Sequence, residues 1–415
     1  MSRGRDGAMD SGVEAFYPSD VYGFAQLLTE AERSALSRLR AVLDTQVRPI
    51  LAEYWERGEF PEQIVAPFVD LDLMDPVEVR EAGQVPSGLY GGFRNFEIGR
   101  VDTSTVTWYN AQSGLFRTTV NLGGSAGQVA ELDPRIRSFD FTGVFALTEP
   151  DHGSDIAGGL ATTATFEPAA GGQGNGGPGE GQWTINGAKR WIGGAFLADV
   201  LAVFARDTAD NQVKCFLVPR EAAGVKLSKI ERKTSLRIMQ NADIELANVR
   251  VPESARLQNI NSFADVAGCL RNMRSDVAWI AAGGAAGAYE AAVRYVLERQ
   301  QFGKPLAAFQ LIQEKLAHML SNVTAALAVV VRLTQQQEAG TYRDENSAMA
   351  KMFTARMFRE TAALAREVCG GNGILLDHDV ARFHADAEAV YSYEGTHEIN
   401  ALIVGRSITG LGAFR

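Results

Sequence analysis

From Thr29 onward apolar residues recur at helical spacing, at Leu36, Leu39, Leu43 and Val47, and Thr29 with Glu32 three positions later has the pattern of a capping box. The chain therefore predicts a helix entered at that threonine. Prolines 49, 61, 67, 76 and 86 punctuate shorter segments, and Gly91 with Gly92 reads as a loop before an apolar stretch toward Val120, so helix follows helix to about residue 142. The texture changes near Phe145. Runs at 164–166, 183–185, 200–204, 213–218 and 244–251 are short, rich in β-branched and aromatic residues and separated by turn residues, which predicts a β-sandwich or barrel. Residues 168–181 are dominated by glycine, cannot bury a core, and read as a flexible connection between two strands. Long amphipathic segments return after residue 256, at 277–299, 309–337, 347–368 and a last one through 408, and predict a four-helix arrangement. The run from Gly283 to Gly287 lies inside the first of these, where small residues let neighbouring helices approach. The pattern divides the chain into an N-terminal α-helical domain (1–142), a middle β-domain (143–255) and a C-terminal four-helix domain (256–415), an α+β class without internal repeats.

Length and charge narrow the possibilities. The 415 residues suit roughly three regions at about 150 residues each, and 46% hydrophobic with 22% charged residues is ordinary for a globular protein. A net charge of −10 gives no whole-molecule field to gather nucleic acid or anionic lipid, so a phosphate-bearing ligand would need a local basic pocket. The three cysteines, Cys215, Cys269 and Cys369, form no CxxC pair and fit a reducing compartment, which predicts a cytoplasmic protein. The first residues carry charge but no apolar core, and no run of about eighteen apolar residues occurs, so neither signal peptide nor membrane span is expected.

Each candidate motif has a bland reading beside its chemical one. Gly123-Gly124-Ser125-Ala126-Gly127 matches GxSxG, in which Ser125 would be the nucleophile of a serine hydrolase, yet nothing before it reads as a buried parallel strand and no βαβ alternation follows. The five histidines form no HExxH and offer no metal site. Gly370-Gly371-Asn372-Gly373 is not GxGxxG and follows a helical segment, as a helix–helix turn would. Residues 147–155, LTEPDHGSD, bring hydroxyls and glycine-supported amides together where helices give way to strands, either as a ligand cradle or as a capped turn. Trp191, soon after the Asn186-Gly187 turn, is an aromatic plane for a cofactor or a core residue. Arg299, followed by Gln301, Phe302 and Gly303, is a guanidinium for phosphate or an ordinary helix-terminal cation. Tyr393-Glu394-Gly395-Thr396 sets a carboxylate before a glycine, where the chain can bend and aim it into a cavity as a general base, or simply cap a helix.

Taken in order, these pieces resemble the acyl-CoA dehydrogenase family from about residue 20 to the C-terminus. Residues 147–155 are similar to the family's TEPxxGSD segment, 186–192 to NGxKxWI, 299–303 to RxQFG, 309–313 to FQxIQ, 370–373 to GGNG and 393–396 to the YEGT loop. The resemblance implies a homotetramer with non-covalent FAD at a subunit interface. Phe145, Leu147, Thr148, Gly153 and Ser154 would line flavin and acyl-CoA, Trp191, Ile192 and Gly193 would flank the ring, and Arg299, Phe302, Gln310, Gly370, Gly371 and Asn372 would hold the pyrophosphate and adenosine of a flavin seated mainly in the neighbouring subunit. Thr396 would close the flavin site. Ser154, Arg274, Gly395 and Val106 would meet the substrate, with Arg274 at the start of the first C-terminal helix. Glu394 would remove the acyl α-proton while the β-hydrogen leaves as hydride to flavin N5, giving a trans-2-enoyl thioester, and the Glu394 backbone N–H with a ribityl hydroxyl would polarise the thioester carbonyl.

Departures from the pattern refine this. The stretch from Gly370 to the C-terminus is closest to glutaryl-CoA dehydrogenases and short-chain acyl-CoA oxidases. The arginine with which glutaryl-CoA enzymes pair the distal carboxylate is Val106 here, which disfavours a dicarboxylic substrate. Trp191-Ile192-Gly193 stands where many relatives read Trp-Ile-Thr, so the hydroxyl on flavin N5 is missing, as in the oxidase branch, and the electron acceptor is either electron-transfer flavoprotein or oxygen. Glu367 replaces a common Gln. The expectation is an FAD-dependent dehydrogenase of a short or branched, uncharged acyl-CoA. A carrier-protein thioester, an oxidase, a glutaryl-CoA-type enzyme and, remotely, a hydrolase acting through Ser125 are the alternatives.

Overall fold

The computed structural model describes residues 16–168 and 181–413. Most of the glycine-rich connection lies outside the described residues, although Pro168 and Gly181 at its ends pair across two strands.

The N-terminal region is built from α1 (Glu30–Val42), α2 (Leu51–Arg57), α3 (Val65–Asp70), α4 (Val77–Glu81), α5 (Gly88–Val101), α6 (Thr103–Asn110), α7 (Arg117–Gly123) and α8 (Ala126–Arg137). The Thr29 capping box forms as the spacing predicts, with the Glu32 N–H donating to Thr29 and the Glu32 carboxylate receiving the Thr29 N–H. Gly91 and Gly92 are not a loop. They lie inside α5, where a Cβ on Gly92 would come within 2.2 Å of the Trp279 indole, so close helix approach rather than turn formation accounts for glycine there. Between α6 and α7 the helix widens into a π-turn, Ala111–Phe116. From it Gln112 accepts the Gly143 N–H at 2.9 Å and donates to the carbonyls of Ile136 and Phe141, fixing the entry into the first strand.

The middle region is one seven-stranded sheet rather than two facing ones: β1 (Gly143–Ala146), β2 (Thr163–Pro168), β3 (Gly181–Gly193), β4 (Val200–Asp207), β5 (Val213–Pro219), β6 (Val225–Lys229) and β7 (Asn241–Pro252). A single helical turn, α9 (Ile156–Gly159), lies between β1 and β2. The order is β1-β4-β2-β3-β7-β6 with β5 on the other edge of β4; β1 and β2 both run parallel to β4 and the remaining pairs are antiparallel. Alternate residues of β4 face opposite sides, with Ala202 and Phe204 in the cluster beneath α7 and α8, and Leu201 and Val203 in the cluster around Trp183.

The C-terminal region holds five helices, α10 (Phe263–Glu298), α11 (Gln310–Glu338), α12 (Asp344–Val368), α13 (Val380–Ser392) and α14 (His397–Thr409), with a short hairpin, β8 (Gln300–Gln301) and β9 (Lys304–Pro305), after α10. Sequence periodicity ran the last two helices together; the chain breaks them at 393–396. α10 also starts earlier than the periodicity indicated, so Arg274 lies well inside it rather than at its start. An 18-residue window of α11 reaches a mean hydropathy of 1.6, enough by composition for a membrane span, yet its Met319, Val323, Leu327 and Val330 are fully buried in the same core as α10 and α12. That is the pattern of a core helix.

Candidate active site

Glu394 and Gly395 follow α13 with φ values of 52° and 81°, and two successive left-handed residues end the helix and turn the Glu394 side chain inward. Thr396 then starts α14, its hydroxyl accepting the Ile399 N–H at 3.2 Å, so that hydroxyl is a helix cap in this chain. The turn is clamped from below. Lys351 of α12, with no exposed surface, donates to the carbonyls of Tyr391 at 3.0 Å and Gly395 at 2.9 Å, and Asn400 donates to Gly395 and Thr396. Beside it the Tyr393 hydroxyl lies 3.5 Å from the Thr107 hydroxyl of α6. Among the described residues no acceptor takes the Glu394 N–H.

Glu394 is half-buried, and its Oε2 is buried without a partner. Burial pushes its pKa up, and the positive charges of Arg274 and Lys351 pull it partway back. Lys351 is itself lowered to about 8 by burial, against the attraction of Glu394. Arg274 has a buried, unpartnered Nε, and Asp276, two residues further along α10, is raised to about 7 by burial, with Arg94 opposing the rise and Glu394 adding to it. A lone carboxylate in a dry pocket, poised upward and flanked by cations, can take a proton from carbon near neutral pH.

On the sheet side, the loop after β1 is held by a buried ion pair. Glu149 accepts the N–H groups of Ala161 and Thr162 and a 2.8 Å bond from Lys189 of β3, whose ammonium also reaches the Leu147 carbonyl. Arg190 N–H donates to the Thr148 carbonyl at 2.8 Å, so loop and strand move as one unit. Trp191 sits at a bulge in β3 with φ 66° and stands 52% exposed, with the Arg190 guanidinium over its ring at 5.1 Å from the centroid, an unusual exposure for an indole on a sheet. A Cβ on Gly193 would lie 2.4 Å from the Met239 methyl, the mobile end of that side chain, so a threonine at this position would need Met239 to shift. Next to it a cavity of about 260 Å³ opens between Trp108, Ala111, Phe139, Val144 and Gly194.

Not every residue singled out from sequence presents its side chain here. Leu147 and Ile192 are core residues of the two sheet faces and offer only backbone, while Phe145 packs on Phe204 at 4.7 Å. Gly153 and Ser154 are exposed on the loop, and Val106 is wholly buried. Arg299, Phe302, Gln310, Gly370 and Gly371 are exposed at the opposite end of the helical domain, where Asn372 is already bonded to the Tyr295 hydroxyl at 2.9 Å and Glu367 pairs with Lys315 at 3.3 Å. That end and Glu394 are far apart in one chain, since Arg274 and Arg299 on α10 are separated by roughly 37 Å at 1.5 Å per residue. Ser125 follows α7, not a strand, and its hydroxyl accepts the Gln128 N–H as the cap of α8, so the hydrolase motif is a capping box. Sequence reasoning overlooked Lys351, Asp276 and Arg94. Lys351 left a readable trace, a lysine in the buried stripe 347-351-354-358-361 of an amphipathic helix; Asp276 left the same trace, an acid in the apolar run of α10.

The turn that carries the half-buried Glu394 and the strand bulge that carries the half-exposed Trp191 lie in the fold of a family of oxidoreductases. The chain belongs to the acyl-CoA dehydrogenase family: residues 29–140 match its N-terminal domain, 144–249 its middle domain and 263–409 its C-terminal domain. It is 31% identical to the 3-(aryl)acrylate reductase of Clostridium sporogenes over 92% of this chain and 99% of that protein, and 30% identical to an acyl-CoA dehydrogenase of Bacillus subtilis over 86% and 93%. Among solved structures it is similar to glutaryl-CoA dehydrogenase of Mycobacterium smegmatis, with a TM-score of 0.84 at 32% identity, covering 97% of this chain and 100% of that one. A second structure of a glutaryl-CoA dehydrogenase from that organism, in complex with FADH2, gives 0.85 at 30% identity over 96% and 100%.

Proposed function

We propose that this chain is an FAD-dependent dehydrogenase that converts a short or branched acyl-CoA to its trans-2-enoyl-CoA with Glu394 as the base. The half-buried Glu394, with its unpartnered Oε2 on a left-handed turn, carries the reading. The half-exposed Trp191 and the side-chain-free Gly193 beside it fit a flat ring at the sheet edge. FAD, when bound, supplies a two-electron acceptor for the β-hydrogen. Glu394 takes the α-proton at its carboxylate, and its free backbone N–H is available to polarise the thioester oxygen, which an acidified C–H requires. Arg274 and Lys351 favour the ionised Glu394 that accepts the proton, and the partly buried Tyr393 packs beside it. Val106, where glutaryl-CoA enzymes carry an arginine by the resemblance, supports a substrate without a distal carboxylate.

The separation of the Arg299 end from Glu394 within one chain supports an assembly in which a neighbouring copy completes each cofactor site, a homotetramer in this proposal. Phe302, Leu311, Ile374, Ile408 and Leu411, 70% or more exposed, supply apolar surface for it. Three buried free thiols fit a cytoplasmic setting. The acceptor is electron-transfer flavoprotein, or oxygen if the hydroxyl-free Gly193 leaves the ring open to it. Relatives named as reductases point to the same residues run in reverse.

Anaerobic titration of the yellow enzyme with butyryl-CoA should bleach the flavin, and Glu394→Gln should bind the ligand yet lower the bleaching rate by about a thousandfold or more. Normal bleaching by that variant overturns the assignment of the base; rapid recolouring with peroxide on admitting air selects the oxidase reading.

A further inference from the structure

Resting on the acyl-CoA reading above, the geometry points to an acyl chain that ends in a neutral hydrogen-bonding group, a hydroxyl or carboxamide, recognised at the far end of the pocket by Arg94, Asn95, Asn110 and Asp276. In this inference the acyl chain runs from Glu394 along α6. Thr107 touches Tyr393 beside the base, and Asn110, one turn further on, lies away from it on the same face. There the π-turn passes so close that a Cβ on Gly114 would sit 2.2 Å from the Asn110 amide oxygen and 2.5 Å from the Asp276 carboxylate, which makes these two oxygens neighbours. Asn95 of α5 joins them with a 3.4 Å contact to the Asn110 oxygen. Arg94, on the same helix, stacks 5.1 Å from the Tyr109 ring and reaches the Leu73 carbonyl at 3.3 Å.

This floor is desolvated and incompletely bonded. Arg94 is 9% exposed, Asn95 1% and Tyr109 0%, and the Arg94 Nε, the Asn95 Oδ1 and the Tyr109 hydroxyl are buried without partners. A plain alkyl tail would leave each of these groups unpaired, at a cost of about 1–3 kcal/mol apiece. The free set holds a donor, Nε, and an acceptor, Oδ1, which suits a group that both accepts and donates. Arg94 and Asp276 are within electrostatic reach of one another but make no ion pair, so their charges offset at the floor: a second carboxylate would be repelled by Asp276 and an ammonium by Arg94.

The holoenzyme is tested at fixed pH, near 8, by anaerobic flavin bleaching with butyryl-CoA, hexanoyl-CoA, its isostere 5-hydroxypentanoyl-CoA, and glutaryl-CoA. The hydroxylated thioester should exceed hexanoyl-CoA in kcat/KM by about tenfold or more, Arg94→Met should erase the preference through KM, and Asp276→Asn should raise turnover of glutaryl-CoA. Equal or better use of hexanoyl-CoA by the wild type overturns the inference, whether or not either variant folds, and so does a wild-type preference for glutaryl-CoA. Bleaching by butyryl-CoA without discrimination removes only this inference; no bleaching by any thioester removes the acyl-CoA reading with it.

Discussion

Lys351 does two jobs at one residue. Its ammonium satisfies two backbone carbonyls of the turn that holds Glu394, the proposed base, and its charge lowers the proton affinity of that carboxylate. Lys351→Met keeps the volume and removes both. Two buried acceptors left unpaired cost about 1–3 kcal/mol each, and loss of the cation lets burial act on Glu394 unopposed except by Arg274. The expected result is a pH profile of kcat/KM whose acidic limb moves to higher pH, a shift that a purely structural defect would not produce; an unmoved limb would show that the lysine only supports the backbone. Asp276 gives a prediction of opposite sense. Its folded pKa of about 7 lies above the model-peptide value of 3.8, so the folded state keeps a proton that the unfolded state releases, and stability contributed by the neutral acid is lost as pH rises from about 4 through about 7. Asp276→Asn, neutral at every pH, should therefore stabilise the protein by on the order of 2 kcal/mol at about pH 8 and by little at about pH 4, read as the difference in denaturant midpoints.

At the level of elements, the site is a meeting of three connections: the turn between α13 and α14, the π-turn between α6 and α7, and the loop tied to β3. The last hangs on Glu149 and Lys189, and removing one partner of a buried pair costs about 3–5 kcal/mol because the other charge stays behind. Lys189→Met should lower the thermal midpoint accordingly and speed flavin loss, whereas pairing it with Glu149→Gln should recover much of the stability; additive effects in that double-mutant cycle would deny the coupling. These connections also divide what was legible in the chain from what was not. The capped start of α1, five strands and the glutamate of the YEGT turn follow from local spacing and from motif order. The break between α13 and α14 did not follow from periodicity, because it depends on a non-glycine residue at φ 52° beside a glycine whose carbonyl Lys351 and Asn400 both bond. Gly92 read as a loop for the same reason, since its partner Trp279 is remote in sequence. Arg94 became a candidate only once α5, α6 and α10 were brought together.

For the whole molecule, the arrangement of the two ends of the helical domain decides what one chain can do alone. The exposed basic and amide groups at Arg299 and Gln310 lie a helix length from Glu394, so in the proposed assembly a chain by itself would offer half of a dinucleotide site at each end. In that proposal Phe302 marks the place where a second copy would close it. The hairpin β8–β9 holds this residue at φ 51°, edge-on to Phe309 at 5.9 Å, and leaves it 91% exposed, which is costly in water unless another surface covers it. Phe302→Asp changes nothing within the chain's own core and should fold as well as the parent. It should lower the mass measured by light scattering at micromolar concentration, and flavin should leave in parallel with subunits as the protein is diluted. An unchanged mass together with unchanged flavin retention would mean that the cofactor is held within one chain, and the separation of Arg299 from Glu394 would then have to be bridged by a different set of residues.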